Sequence, residues 1–416
     1  MSTVANPSSG PAATSSALRD DAAVIGLVGM AHLISHYSQL LLAPLFPWLK
    51  TEFNVSYAEL GFLLSVFFVV SCAVQAMSGF VVDRFGPRPA LFAGLGLLGM
   101  AAIGFATSTH YLTLLVFAAV AGVGNGVFHP VDYTILNRKV SAARLGHAYS
   151  VHGITGSLGW ALAPAMLVPL AAAFGWRVAL LAAAGLIFTV LAIVFWRRRV
   201  LELPPTPHVA QHASQPAESA FGFLRIPAVW MCFAFFFFYA AVLSVIQTFA
   251  TSSATHLTNV PATLAAMCLT AYMVASAGGM VVGGFLVADA SRAERIVGMG
   301  FGVAAMFALT MALTPVPGVL VPVLFVGMGF ASGIAGPSRD MLVKRSTPEN
   351  ATGRVYGVVY AGLDIGQAVM PLIFGALMDH GQYRAVWFGL ALLQGVLIAS
   401  AFNVRRVRRT LRPAMA

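Results

Sequence analysis

Apolar residues run along this chain in long unbroken stretches, separated by short polar or glycine-rich breaks. Twelve such runs fall near residues 21–46, 57–82, 89–108, 111–136, 147–173, 176–196, 226–255, 261–287, 294–313, 317–343, 352–378 and 384–403. About 20 apolar residues carry a helix across the hydrocarbon core of a bilayer. The runs are continuous and lack the every-other-residue alternation of a membrane β-barrel, so helices are predicted. Glycine and proline inside the runs are tolerated where neighbouring helices satisfy the freed backbone groups. The pattern predicts an all-α integral membrane protein with twelve transmembrane helices in two pseudo-symmetric six-helix halves, 21–196 and 225–404. Residues 1–20, rich in Ser, Ala and Pro, read as a disordered cytoplasmic tail. They lack the basic segment of a cleaved signal peptide. Residues 197–224 open with Arg197, Arg198 and Arg199, continue with Pro204 and Pro205, and read as a cytoplasmic linker. Residues 405–416 read as a basic cytoplasmic tail.

Composition sharpens this picture. Of 416 residues, 59% are apolar and 9% charged, against about 25% charged in soluble domains. Soluble enzymes and nucleic-acid modules are thereby excluded. The net charge of +10 is a topology signal. With the N-terminus in the cytoplasm, twenty of the 24 Lys and Arg residues fall on one side. Lys50, Arg177 and Arg384 fall on the other, and Arg339 lies within span 10. Such asymmetry orients a polytopic protein with its basic loops and both termini in the cytoplasm, and leaves no nucleic-acid role for them. Cys72, Cys232 and Cys268 all sit in apolar runs, which gives neither a disulfide framework nor a zinc spacing.

A shift of 207 residues superimposes parts of the two halves without gaps. Pro130 meets Pro337, Gly146 meets Gly353 and Tyr149 meets Tyr356. Gly159 meets Gly366, Pro164 meets Pro371 and Arg177 meets Arg384. Gly and Pro mark backbone positions, so the shared property is helix geometry. Two repeated halves suggest a transporter whose substrate sits between them near the bilayer midplane. One chain then builds its own pathway, and a monomer is expected.

The loop after span 2 reads GFVVDRFGPRP (79–89). Gly79, Asp83, Arg84, Gly86 and Arg88 match the Gly-x-x-x-Asp-Arg-x-Gly-x-Arg signature, and the chain resembles the major facilitator superfamily. A degenerate second copy, with Asp289 and Arg292, follows span 8. The resemblance covers nearly the whole chain and implies that superfamily's fold, with span 1 lining a central cavity. In the loop, Gly79 is expected to let two helices approach closely. Asp83 is placed to pair with Arg88 or to meet a helix N-terminus. The loop reads as a gating latch, or as a plain topology-setting loop. A finer resemblance lies in GITGSLGWALAP (153–164), which is similar to the span-5 motif of drug/proton antiporters. With FHP at 128–130, the chain also resembles fosmidomycin-resistance-type exporters. Ala163 stands where that motif has a Gly, and the trailing Gly pair is missing.

Polar side chains inside spans are costly and form the functional shortlist. His32, Ser35, His36 and Gln39 make one stripe on span 1. They read as proton-coupling or substrate-binding groups, or as a neutral pair locking span 1 to a neighbour. A metal site on His32 and His36 finds no carboxylate or cysteine nearby in sequence, and no metal is assigned. Asp364, deep in span 11, with Gln367 on the same face, is a proton-carrier candidate or a structural hydrogen bond. His129 and Asp132 lie in span 4, His152 early in span 5. Asp132 and Arg339 are repeat mates. They read either as an anion-binding Arg339 with its switchable counter-charge or as a gate or intra-half pair. Tyr239, the repeat mate of His32, and Gln247 are candidates to line the cavity from span 7.

No Walker-type loop is present, so ATP is not expected to drive transport and no cofactor is called. Neither HExxH nor GxSxG occurs, and no enzyme activity is expected. The expectation is a secondary transporter of the inner membrane, proton-coupled, moving a small solute by alternating access. Export is favoured over the alternative, import of a small organic anion. A non-transporting membrane sensor is the rival of another class.

Overall fold

The computed structural model describes residues 11–203, 227–286, 293–346 and 352–411. Among these residues the secondary structure is helical throughout, with no strand. Twelve helices are long and apolar enough to cross a membrane. They are Ala17–Phe53, Tyr57–Val82, Pro87–Thr107, Tyr111–Lys139, Leu145–Phe174 and Trp176–Trp196, then Val229–Leu257, Thr263–Leu286, Glu294–Leu313, Gly318–Gly336, Ala361–Asp379 and Tyr383–Phe402. We number them spans 1–12.

The expected spans agree with this order, with differences at the ends. Span 1 continues through a short turn at Ala43–Leu45 into a second helix, Phe46–Phe53. The first helix begins at Pro11, inside the segment expected to be a disordered tail. Ala12, Ala13, Ala17 and Leu18 are strong helix formers and extend the span backwards. The last helix likewise runs on to Leu411, into the expected basic tail. Most of the predicted linker, residues 204–226, lies outside the described residues, as do Asp289 and Arg292.

Packing follows the repeat. In the first half, span 1 packs on span 5, span 2 on span 4 and span 3 on span 6. In the second half the matching pairs are 7 with 11, 8 with 10 and 9 with 12. The halves meet through span 2 on span 11 and span 5 on span 8. The matched glycines explain the register. A Cβ on Gly159 would run into the backbone carbonyl oxygen of Leu33 in span 1, and one on Gly366 would lie 2.5 Å from that of Phe237 in span 7. Without side chains at these points the backbones close together.

At the end of the bundle away from the termini, the halves are locked by a helix cap. Ser56 and Glu59 form a capping box at the start of span 2. The backbone N–H groups of Tyr57 and Ala58 donate to Asp379, at the end of span 11, at 2.7 and 2.9 Å. A carboxylate at a helix N-terminus accepts these otherwise unpaired donors and meets the positive end of the helix dipole. Phe46 and Phe249 bring spans 1 and 7 together there, with ring centroids 6.0 Å apart.

Outward faces are apolar. Val69, Val116, Met267, Val323 and Leu392 are all more than half exposed, as a lipid-facing surface requires.

Candidate functional site

The interior of the first half is polar. Span 4 breaks at Gly126, where a Cβ would lie 2.5 Å from the Ser71 carbonyl oxygen. A second helix starts at Phe128. Pro130 sits in its first turn, where a missing N–H costs nothing. The break turns His129 and Asp132 inward. Asp132 is completely buried. Its Oδ2 accepts from Nδ1 of His32 in span 1 at 3.0 Å and from Nε2 of His152 in span 5 at 3.1 Å. The His32 and His152 rings stack, centroids 3.5 Å apart. His36 stands one turn along, its ring centroid 4.4 Å from that of His32 and 4.2 Å from that of Trp160. Both of these partners belong to the first half.

Beside this cluster lies a second network. Asn125 Oδ1 accepts from Ser35 Oγ at 2.9 Å and from Gln39 Nε2 at 3.3 Å, and Asn125 Nδ2 donates to Ser71 Oγ at 2.8 Å. Trp160 Nε1 donates to Gln39 Oε1 at 2.9 Å. Within the stripe read on span 1, His32, Ser35 and Gln39 are bonded to spans 4 and 5, and Asn125 carries the network on to span 2.

A third chain crosses between the halves. His129 Nδ1 donates to Gln75 Oε1 at 2.9 Å, and Gln75 Nε2 donates to Asp364 Oδ2 in span 11 at 3.4 Å. Asp364 is 8% exposed. It has no ion pair to Lys or Arg among the described residues. Gln367, expected beside it, turns to span 7 instead, where its Nε2 donates to Gln247 Oε1 at 3.3 Å. Gln247 lies in a π-helical turn, Ile246–Ala250, a local bulge of the kind often found at functional sites.

Between the halves lies a narrow cavity. Ser157 and Trp160 line it from the first half, and Tyr239, Tyr272, Ser276 and Ser332 from the second. Its inner free volume is about 10 Å³, room for about one water. Tyr239, the repeat mate of His32, is among the residues lining this cavity.

The loop after span 2 departs from expectation. Gly79 meets nothing within 4 Å of where a Cβ would sit, so it provides no close approach. Its helix face points outward at this level, beside Phe80 at 78% exposure. Close approach to span 11 falls instead to Gly61, where a Cβ would meet the Pro371 carbonyl. Arg88 pairs with Glu202 at 3.3 Å and donates to the Arg198 carbonyl at 3.4 Å, because the turn after span 6 comes back beneath span 3. Gly86 has φ +83° and joins spans 2 and 3 where other residues would be strained. The Arg84 guanidinium lies 5.4 Å over the Phe85 ring. The side chains of Asp83, Arg339 and Asp340 lie outside the described residues.

Sequence reasoning missed Gln75, Asn125, Ser71, Trp160 and Asp379. Gln75 and Asn125 carried a usable signal, as uncharged amides inside apolar runs. Asp379, at a span end, looked like an ordinary loop carboxylate.

Two six-helix bundles enclosing a central polar cavity define a polytopic transporter of a small molecule, with no enzyme activity in the class. The sequence profile of the Major Facilitator Superfamily matches residues 28–358 and 254–414, and the chain belongs to that family. The fosmidomycin resistance protein of Escherichia coli is 26% identical over 175 residues, 42% of this chain and 43% of that protein. The chain thus matches less than half the length of that relative. The "Probable nitrate/nitrite transporter NarK2" of Mycobacterium tuberculosis is 26% identical over 399 residues, 94% of this chain and 98% of that protein. Among solved structures, a bacterial homolog of the human lysosomal transporter Spinster, in an inward-facing and occupied conformation, superposes with a TM-score of 0.73. It has 14% identity and covers 93% of this chain and 97% of that chain. A point mutant of the nucleoside transporter NupG gives a TM-score of 0.71 at 15% identity, covering 92% of this chain and 99% of that chain.

Proposed function

We propose that this chain is a proton-coupled secondary transporter of the inner membrane, with both termini cytoplasmic. It exports a small solute by alternating access, with Asp364 as the proton-carrying side chain. One observation carries this reading: a buried carboxyl group sits where span 11 meets span 2, bonded across the halves through Gln75, with no Lys or Arg counter-ion among the described residues. Protonation removes a full charge at a surface that must separate when the halves rock. An isolated buried charge is costly, so the proton sets which arrangement is favoured. One charge moved through 100 mV supplies about 2.3 kcal/mol, enough to bias such a cycle. The basic asymmetry of the loops supports the orientation. The likeness to a fosmidomycin resistance protein supports export.

A second reading, uptake of a small anion, is favoured by the full-length likeness to NarK2. In it Arg339, which the sequence places inside span 10, binds the anion.

Proteoliposomes with an imposed pH gradient separate the two, with fosmidomycin and nitrate as probes. Export predicts accumulation of fosmidomycin on the side that supplies the protons. Uptake predicts that nitrate moves with the protons and that Arg339→Gln stops it. In either case Asp364→Asn lowers gradient-driven accumulation about tenfold or more while solute exchange without a gradient persists. Undiminished accumulation in Asp364→Asn removes it as carrier, and failure to move either probe rejects both substrate readings.

A further inference from the structure

We infer that His32, Asp132 and His152 form a binding site for a divalent transition-metal ion of the zinc or cobalt class, inside the first half. The spacing of His32 and His36 gave no third ligand in sequence. The fold supplies one from 100 residues away.

The donor atoms of His32, Asp132 and His152 all lie within 4.8 Å of one another, and all three residues are buried. Two of the separations, 3.0 and 3.1 Å, are already close to a ligand–ligand edge. Zinc–nitrogen bonds of 2.0–2.1 Å arranged tetrahedrally place neighbouring donors about 3.4 Å apart. Small ring rotations separate the histidine nitrogens from the carboxylate and admit an ion.

Two orphaned groups point to a missing partner. Asp132 Oδ1 is buried without a hydrogen bond, and so are both ring nitrogens of His36. Buried polar atoms are nearly always paired, so each unpaired one calls for a proton, a water or an ion. The carboxylate has no Lys or Arg partner among the described residues. A carboxylate at this site brings negative charge into a low-dielectric interior, which a dication offsets. His36, with its ring beside that of His32, is the nearest spare donor.

Ligand chemistry selects the ion. Two imidazoles with one carboxylate suit Zn²⁺, Co²⁺ or Ni²⁺, whereas Mg²⁺ and Ca²⁺ prefer all-oxygen shells. The cluster lies close to the central cavity. Trp160 lines that cavity and its ring rests against His36. The bound ion would tie together spans 1, 4 and 5, each of which supplies one ligand. It uses neither Asp364 nor a transport step, so it stands independently of the proton reading.

The test is a Co²⁺ titration of the full-length, tag-free protein in detergent after chelator treatment, read by visible absorption and thermal melting. The proposal predicts one ion per chain, an intense tetrahedral-type cobalt band displaced by Zn²⁺, and a raised melting temperature. His152→Gln should weaken binding about 100-fold or more. A control variant carrying His110→Gln and His256→Gln, both outside the site, should bind as wild type. If His152→Gln does not fold, His32→Gln gives the same readout, and the wild-type spectrum decides alone if neither folds. No binding by wild type, an octahedral-type spectrum, or unchanged affinity in a folded site variant overturns the proposal.

Discussion

The two halves of this transporter share a skeleton and differ in chemistry. Gly159 seats span 5 on span 1, and Gly366 seats span 11 on span 7, through the same kind of glycine-to-carbonyl approach. Around that skeleton the first half buries His32, His152 and Asp132, together with Asn125 and Gln39, and holds His36, His129 and Gln75 half-buried beside them. The second half places neutral groups at comparable depth: Tyr239, Tyr272, Gln247 and Gln367. One of its buried carboxyl groups, Asp364, faces the seam between the halves. A repeat therefore holds the geometry that close packing demands and leaves side chains in the interior free to diverge. His32 has Tyr239 as its mate, and Asp132 has Arg339. Among the described residues the histidine–carboxylate cluster lies in the first half, and Asp364 of the second half is bonded to it across the seam through Gln75 and His129.

The largest effect should come from attacking the shared skeleton. Gly159→Ala and Gly366→Ala each force a methyl group against a backbone carbonyl that cannot rotate away. Overpacking of this kind costs about 1–3 kcal/mol. Gly159 has the tighter approach, so its variant should melt at the lower temperature. A wild-type melting temperature in either variant would break the equivalence drawn between the halves, and a milder Gly159→Ala would contradict the order of the two approaches.

A middle effect is expected at the cap that joins them. Asp379→Asn keeps a hydrogen-bond acceptor but removes the charge at the start of span 2. Charge at a helix N-terminus contributes about 0.3–1 kcal/mol. The far end should open several-fold more often, read as faster modification of a single cysteine placed at Phe249. An unchanged rate would mean that Asp379 only caps a helix.

The smallest effect lies on the surface of the first half. Arg177 and Glu52 pair at 2.8 Å, each 41% exposed in its side chain. Exposed pairs contribute about 0–1 kcal/mol. Glu52→Gln should leave the melting temperature within a degree or two, and a larger drop would show that the pair holds the short helix ending span 1 in place.

Much of the fold was legible because membranes simplify the code. Continuous apolar length fixes the spans, and the glycine and proline matches expose the repeat. The stripe on span 1 was legible because a helix puts His32, Ser35, His36 and Gln39 on one face whatever its neighbours are. Its partners were not. Asp132 reaches His32 only because span 4 breaks at Gly126 and turns, a tertiary event dictated by contact with span 2. Gln75 was overlooked because one amide in an apolar run has no meaning until the opposing helix is known. Gly79 misled for a related reason: the motif identifies the loop but does not say which way its helix is turned.

The most direct test of the central claim, that protonation of Asp364 sets the relation between the halves, is a distance measurement. Spin labels at Thr51 and Gln382, exposed positions on opposite halves at the far end, would be placed in protein with Cys72, Cys232 and Cys268 replaced. Pulsed dipolar spectra in lipid nanodiscs should show the distance distribution shifting between pH 5 and pH 8 in the wild-type background, and staying fixed in Asp364→Asn. A shift of the same size in Asp364→Asn, or no shift in either, would contradict the account.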